Sequence, residues 1–177
     1  MRGNTKNADP TRAETGRTII EASGDRPPVA TIARWPLDVD AGFAGTFLRD
    51  PWHSMVRDSI VAYREGRADV ASWSWSKDIV WRVSSNGSSE EHHGANRIFG
   101  FHQRLVRASG GTFRQRLVAL QGSEGSIVHA TVHSSATRGP RRLEMSGMIV
   151  FEIAGSHIRS ITELPGDPAA WTRFWAD

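Results

Sequence analysis

Four strand-like segments follow one another between Thr112 and Leu164, and the links between them hold only turns. The segments are Thr112–Leu120, Ser126–Thr137, Arg141–Ala154 and His157–Leu164. The separators are Gln121-Gly122-Ser123-Glu124-Gly125, Arg138-Gly139-Pro140 and Gly155-Ser156, all of turn chemistry. A parallel pair needs a crossover of about a dozen residues or more, so these strands form an antiparallel meander.

Two helical patterns precede the meander. Trp52, Met55, Val56, Ser59, Ile60 and Tyr63 recur at helical spacing after Asp50, a capping residue, and Pro51, which suits the first helical position; Gly66 is the stop. Ile98, Phe101, His102, Leu105 and Val106 give the stripe of a second helix over Ala95–Ala108, ended by Gly110 and Gly111. Between them lie an aromatic stretch with Trp73 and Trp75, a strand over Asp78–Val83 and a polar loop over Ser84–Gly94. A short helix closes the chain, capped by Asp167, begun by Pro168 and apolar at Trp171, Phe174 and Trp175. Helices gathered on one face of an antiparallel sheet make an α+β fold. A long twisted sheet wraps its helices into a cone, whose wide end is the default ligand pocket.

Residues 1–30 are polar and charged, with Ile19 and Ile20 the apolar exceptions, and read as a flexible arm. A short element around Thr31–Leu37, carried by Ile32 and Trp35, folds back onto a single domain over residues 31–177. Hydrophobic residues are 38% of the 177 and include seven Trp and seven Phe, enough to enclose a core and a pocket. With no cysteine, disulfides, thiolate chemistry and Cys-ligated metals are excluded. No apolar run is long enough to span a membrane, and Met1–Pro10 lacks the apolar core of a signal peptide, so a cytoplasmic protein is expected. The net charge of +3 comes almost wholly from Arg, Lys6 and Lys77 being the sole lysines. Arg138, Arg141 and Arg142 read as the solvated tip of a hairpin, and no nucleic-acid partner is expected. No phosphate-binding glycine loop, Walker sequence or G-x-S-x-G nucleophile motif is present.

Three stretches resemble one superfamily: Trp73–Val83 (WSWSKDIVWRV), Gly94–Leu105 (GANRIFGFHQRL) and Met148–Trp175 (MIVFEIAGSHIRSITELPGDPAAWTRFW). In order and spacing they are similar to the NTF2-like fold, in its branch of SnoaL-like polyketide cyclases and limonene-epoxide-hydrolase-like proteins, over residues 45–177. The resemblance implies a cone around an apolar pocket and, commonly, a homodimer. Its enzymes mostly need no cofactor and place carboxylates and neutral polar groups in the cone. It implies cyclisation, isomerisation or dehydration of a hydrophobic, polyketide-like molecule; the alternative is a non-catalytic small-molecule-binding or assembly protein. The epoxide-hydrolase triad does not carry over. Ala130 and Val132 stand where that family sets an Arg and an Asp, and Trp81 and Val83 where it sets a Tyr and an Asn.

Glu163 resembles the family position of a catalytic Asp on the last strand. A carboxylate in an apolar cavity has its pKa raised, which suits proton transfer near neutral pH. Strand alternation puts Ile161 and Arg159 on its face, and Arg159 would keep it charged. His129 and His133 share one face of their strand, and either is a candidate base if that face meets the cavity. Tyr63, Trp73 and Trp81 are candidates for the pocket wall, Tyr63 with a hydroxyl to offer a substrate oxygen. His102 is a buried histidine or a pocket contact. His92 and His93 adjoin in sequence but lack a third ligand at metal spacing, so no metal is expected. The strand Arg141–Ala154 is partly apolar on both faces, as for a sheet covered by helices on one side and a second subunit on the other.

Overall fold

Arg114–Gly122, Ile127–Arg138, Arg141–Ala154 and His157–Pro165 pair in succession as the expected antiparallel meander. The computed structural model describes residues 37–39, 51–64, 67–122 and 126–176. In chain order the elements are β1 (Leu37–Val39), α1 (Pro51–Arg64), α2 (Ala68–Ser72), β2 (Trp75–Ser85), β3 (Ser88–His93), α3 (Ala95–Ala108), β4 (Arg114–Gly122), β5 (Ile127–Arg138), β6 (Arg141–Ala154), β7 (His157–Pro165) and α4 (Pro168–Trp175). The expected N-terminal arm, most of the Thr31–Leu37 element, the Asp50 cap and the Gly66 stop lie outside the described residues.

One seven-stranded sheet holds them in the order β1-β4-β5-β6-β7-β2-β3. The meander is its centre. β2 joins β7 in parallel, with Trp81 opposite Ile161 and Val83 opposite Glu163. β1 joins β4 in parallel at the other edge. The sheet does not close, and its concave side takes the helices. Val56, Ile60 and Tyr63 of α1 and Ile98, Phe101, His102 and Leu105 of α3 are buried with Trp81, Leu117, Ala130, Val132, Ile149, Phe151 and Ile161 of the sheet.

Residues 84–94 depart from the polar loop expected of them. Asn86 and Gly87 both take positive φ, 47° and 74°, the backbone of a two-residue hairpin turn. β3 then pairs with β2, from Ser85 opposite Ser88 to Val80 opposite His93. Its sequence, SSEEHH, hides the strand because an edge strand is held by backbone bonds while its side chains stay wet. His92 alone is buried, stacked on Phe101 with ring centroids 4.1 Å apart.

The hairpin tip at Gly139 is not simply solvated. Arg138 Nη1 donates to the carbonyls of Trp175 and Ala176 at 3.0 and 2.8 Å, and Arg141 reaches Ala176 as well. Two guanidinium groups thus satisfy carbonyls that the end of α4 leaves unpaired, where the helix dipole favours positive charge. At the other end of α4, Asp167 accepts from the Ala170 N–H at 2.8 Å, as its capping position predicts.

Candidate functional site

The concave side of the sheet leaves an apolar cavity beneath α1. Its enclosed space is about 20 Å3, room for a water-sized group, and it opens to solvent. Ser59, Ile60 and Tyr63 of α1 form one wall, Trp75 and Trp81 of β2 a second, and Gln115, Ile149, Phe151 and Ile161 of β4, β6 and β7 the floor. Trp75 is fixed by its indole N–H donating to Ser59 Oγ at 3.0 Å. Tyr63 and His102 are joined by a 2.6 Å hydrogen bond between Oη and Nδ1. Trp81 meets the His102 ring edge-on, with centroids 4.4 Å apart. Burial pushes the Tyr63 hydroxyl well above its ordinary pKa. Burial, with His92 and Arg104 nearby, pushes His102 well below its own. Both are therefore neutral around pH 7, and the pair is a fixed polar element in an apolar wall.

Glu163 is 4% exposed and stands one side chain behind that wall. Gln115 Nε2 donates to its Oε1 at 2.6 Å and to Ser134 Oγ at 3.2 Å. Burial raises the Glu163 pKa from 4.5 to about 7. The Gln115 hydrogen bond opposes the rise, and the Trp81 indole N–H opposes it further from a geometry short of a full hydrogen bond. A carboxylate this far inside, with neutral donors around it, titrates where proton transfer at neutral pH needs it to.

The expected site residues divide. Tyr63, Trp81 and Ile161 line the cavity, His102 backs Tyr63, and Glu163 adjoins it through Gln115 and Trp81. Four others stand elsewhere. Trp73 is 74% exposed, beyond the end of α2, so it is no part of the wall. Arg159 does not share the face of Glu163. Glu152 pairs with Ser160 and Ile153 with Ile158, which leaves Arg159 as the extra residue of a bulge, and it is exposed. Simple alternation fails across a bulge. His129 and His133 lie on the convex side, because Val128, Ala130 and Val132 take the core. His129 Nδ1 is 3.3 Å from Met148 Sδ, and His133 Nε2 is 3.6 Å from Glu144 on that outer surface. Ala130 and Val132 do face inward.

Gln115 is the residue that the sequence reading passed over. The signal is present: Phe113, Gln115 and Leu117 alternate with Arg114 and Arg116, which puts one amide in an otherwise apolar row. All three inward residues are at most 1% exposed.

The architecture is shared with solved structures. Bal32a, from a soil-derived mobile gene cassette, is 25% identical, with 71% of this chain and 96% of that one covered at a TM-score of 0.64. An NTF2-like protein from Burkholderia xenovorans is 16% identical, covering 71% and 95% at 0.58. A structure described as a SnoaL-like polyketide cyclase, from a Jannaschia species, is 13% identical, covering 75% and 99% at 0.56. No family model matches the chain, and no curated protein does so. The fold is NTF2-like: a curved, unclosed sheet wrapped around helices, with its pocket on the concave side.

Proposed function

We propose that the cavity belongs to a cofactor-independent enzyme that moves a proton on an apolar, polyketide-like small molecule, in a cyclisation, isomerisation or dehydration, with Glu163 as the acid/base group. The observation that carries this reading is a buried carboxylate, Glu163, held by Gln115 beside an apolar cavity, where burial raises its pKa to about 7. Near that pH it is present in both protonation states and can accept or return a proton. The SnoaL-like neighbour supports the reading at the level of fold alone. Gln115 and Trp81 stand between Glu163 and the cavity, so in this reading Glu163 reaches a ligand only when the Gln115 amide moves aside. Tyr63, neutral and held by His102, offers an oxygen contact on the opposite wall.

A non-catalytic binding protein is the second reading, and the position of Glu163 behind the wall favours it. Exchange of ketone α-hydrogens for deuterium, followed by NMR with an apolar cyclic ketone such as cyclohexanone in D2O, separates the two. The enzyme reading expects catalysed exchange, slowed by about 10²–10⁴-fold in Glu163→Gln. Exchange as fast in the variant as in the wild type ends the role of Glu163. Binding without any exchange leaves the second reading standing. We further propose a homodimer built on the convex side of the sheet, where Val118, Ile127 and Met148 are exposed.

A further inference from the structure

We infer that Gln115 is the recognition residue of the cavity and that its Oε1 accepts a hydrogen bond from a hydroxyl or N–H group on an otherwise apolar ligand. This rests on the reading of the cavity as a ligand site, and it narrows the class of ligand.

The amide of Gln115 has one oxygen and two N–H hydrogens to satisfy. Nε2 spends its hydrogens on Glu163 Oε1 at 2.6 Å and on Ser134 Oγ at 3.2 Å. Oε1 is buried and accepts from no protein group among the described residues, in a residue that is 1% exposed and lines the cavity. A buried acceptor left unmade is costly, so native structures rarely keep one without a use. The rest of the cavity lining is mostly aliphatic and aromatic, and the Tyr63 hydroxyl and Ser59 Oγ are both engaged in hydrogen bonds. A ligand donor at Oε1 completes the amide. A hydrocarbon of the same shape leaves the oxygen dry and unpaired.

Two anchors fix which end of the amide meets the ligand. Ionised Glu163 is acceptor-only, so it holds Nε2 toward itself and leaves Oε1 as the unpaired end of the amide. Protonated Glu163 has a hydrogen to give. Its natural partner is then Oε1, and the amide turns over, presenting Nε2 to the cavity in place of an acceptor. The other titratable side chains buried on the surrounding elements are His53 and Tyr63 of α1, His92 of β3 and His102 of α3. Tyr63 and His102 keep their neutral forms around pH 7. Burial also lowers His92, which stacks on Phe101. Desolvation and two neutral donors set the titration of Glu163.

Indole and indene test this directly. They share a shape, and indole adds one N–H donor and no comparable acceptor. Affinities of the full-length protein for each are measured by calorimetry. In the wild type at about pH 8, indole is expected to bind about tenfold more tightly relative to indene than it does in Gln115→Met, a variant of equal length without the amide. A second arm needs no variant: in the wild type the preference is expected to shrink as pH falls from about 8 to about 5.5, across the titration of Glu163. An indole-to-indene ratio that is unchanged in Gln115→Met, or flat with pH in the wild type, overturns the inference. Failure of both probes to bind overturns it together with the ligand-site reading. Donor selectivity without ketone exchange leaves it standing and removes only the enzyme reading.

Discussion

Gln115 Nε2 donates to Glu163 Oε1 over 2.6 Å, although their strands, β4 and β7, are separated in the sheet by β5 and β6. Three strand spacings on a flat sheet amount to about 14 Å between backbones. The register adds an offset along the strands, since Gln115 stands opposite Ser134 while Glu163 aligns through Ile149 with Ala130. Two side chains of ordinary length close that gap only because the sheet curls. Bulges at Val118 and Arg159, one on each of the two strands, supply extra bend and twist. The hydrogen bond is therefore a product of the cone and a lock across its floor.

Stability is expected to depend on pH through Glu163, in a direction opposite to that of most carboxylates. Its pKa is 4.5 when free of the fold and about 7 inside it. Below both values the folded and unfolded chains each hold the proton, and the group costs nothing. Between them the folded protein keeps a proton that the unfolded chain has released, so stability falls as pH rises. Above about 7 the loss is complete, at about 3 kcal/mol. Glu163→Gln has no charge to bury. Urea unfolding at about pH 5 and about pH 8 should show the variant close to the wild type at the lower pH and about 1–3 kcal/mol more stable at the higher. A variant that is less stable than the wild type at pH 8 refutes this account of the shift.

Tyr63→Phe should unfold at lower denaturant by about 1–3 kcal/mol, with little change in the slope of the transition. The substitution keeps the ring, which stacks on Phe99 with centroids 5.2 Å apart, and removes the hydroxyl bonded to His102 Nδ1. The imidazole is 1% exposed and loses that partner without gaining water. A loss of a few tenths of a kcal/mol or less would mean that the Tyr63–His102 bond does not hold α1 against α3.

Local chemistry was legible in this sequence, and long-range geometry was not. The stripe from Ile98 to Leu105 and the glycines after Ala108 marked α3 at the residues where it begins and ends. Asp167 and Pro168 marked α4 in the same way, because a cap and a fixed φ act within a few residues. Glu163 was legible through the resemblance, which implies an acidic residue at that place on the last strand. Its nearest partner was not, for nothing within 48 residues of Glu163 announces that Gln115 will meet it. β3 was illegible because SSEEHH carries no apolar period. Arg159 was misplaced by parity, since a bulge spends one residue without advancing the register. The histidines of β5 illustrate a further limit. Alternation grouped His129 with His133, and only the burial of Ala130 and Val132 decided which group faced the core.

Gly166→Ala should destabilise the protein by several kcal/mol or prevent folding, although the substitution adds one methyl at an exposed position. A Cβ built at Gly166 would lie 2.1 Å from the Ser146 carbonyl oxygen, and the Gly166 N–H donates to that same oxygen at 3.0 Å. The chain leaves β7 through this contact, three residues after Glu163, so backbone and not a yielding side chain would have to move. Thermal unfolding followed by circular dichroism reads the effect. A midpoint within about a degree of the wild type would show that the turn relaxes freely.

The convex face gives the last prediction. Val118, Ile127 and Met148 are exposed there, on three adjacent strands, β4, β5 and β6. Thr131 pairs with Met148 and His129 with Val150, so half-buried groups fill the ground around them. The strip is mixed, with Glu144 and Glu152 at the two ends of the β6 row and His133 beside Glu144. A twofold axis through such a face brings each patch onto its own copy, apolar centre to apolar centre with the charges at the rim. Met148→Glu puts a carboxylate at the centre of both copies at once. Two like charges brought together at the axis, each with only His129 of its own chain beside it, should raise the dissociation constant by about tenfold or more. Light scattering at micromolar concentration should therefore report about twice the 19.5 kDa chain mass for the wild type and the single-chain mass for Met148→Glu. The far-ultraviolet circular dichroism of the variant should be unchanged, because Met148 points away from the core. A wild type that is monomeric at that concentration would end the dimer proposal, and a variant that remains dimeric would move the interface off this face.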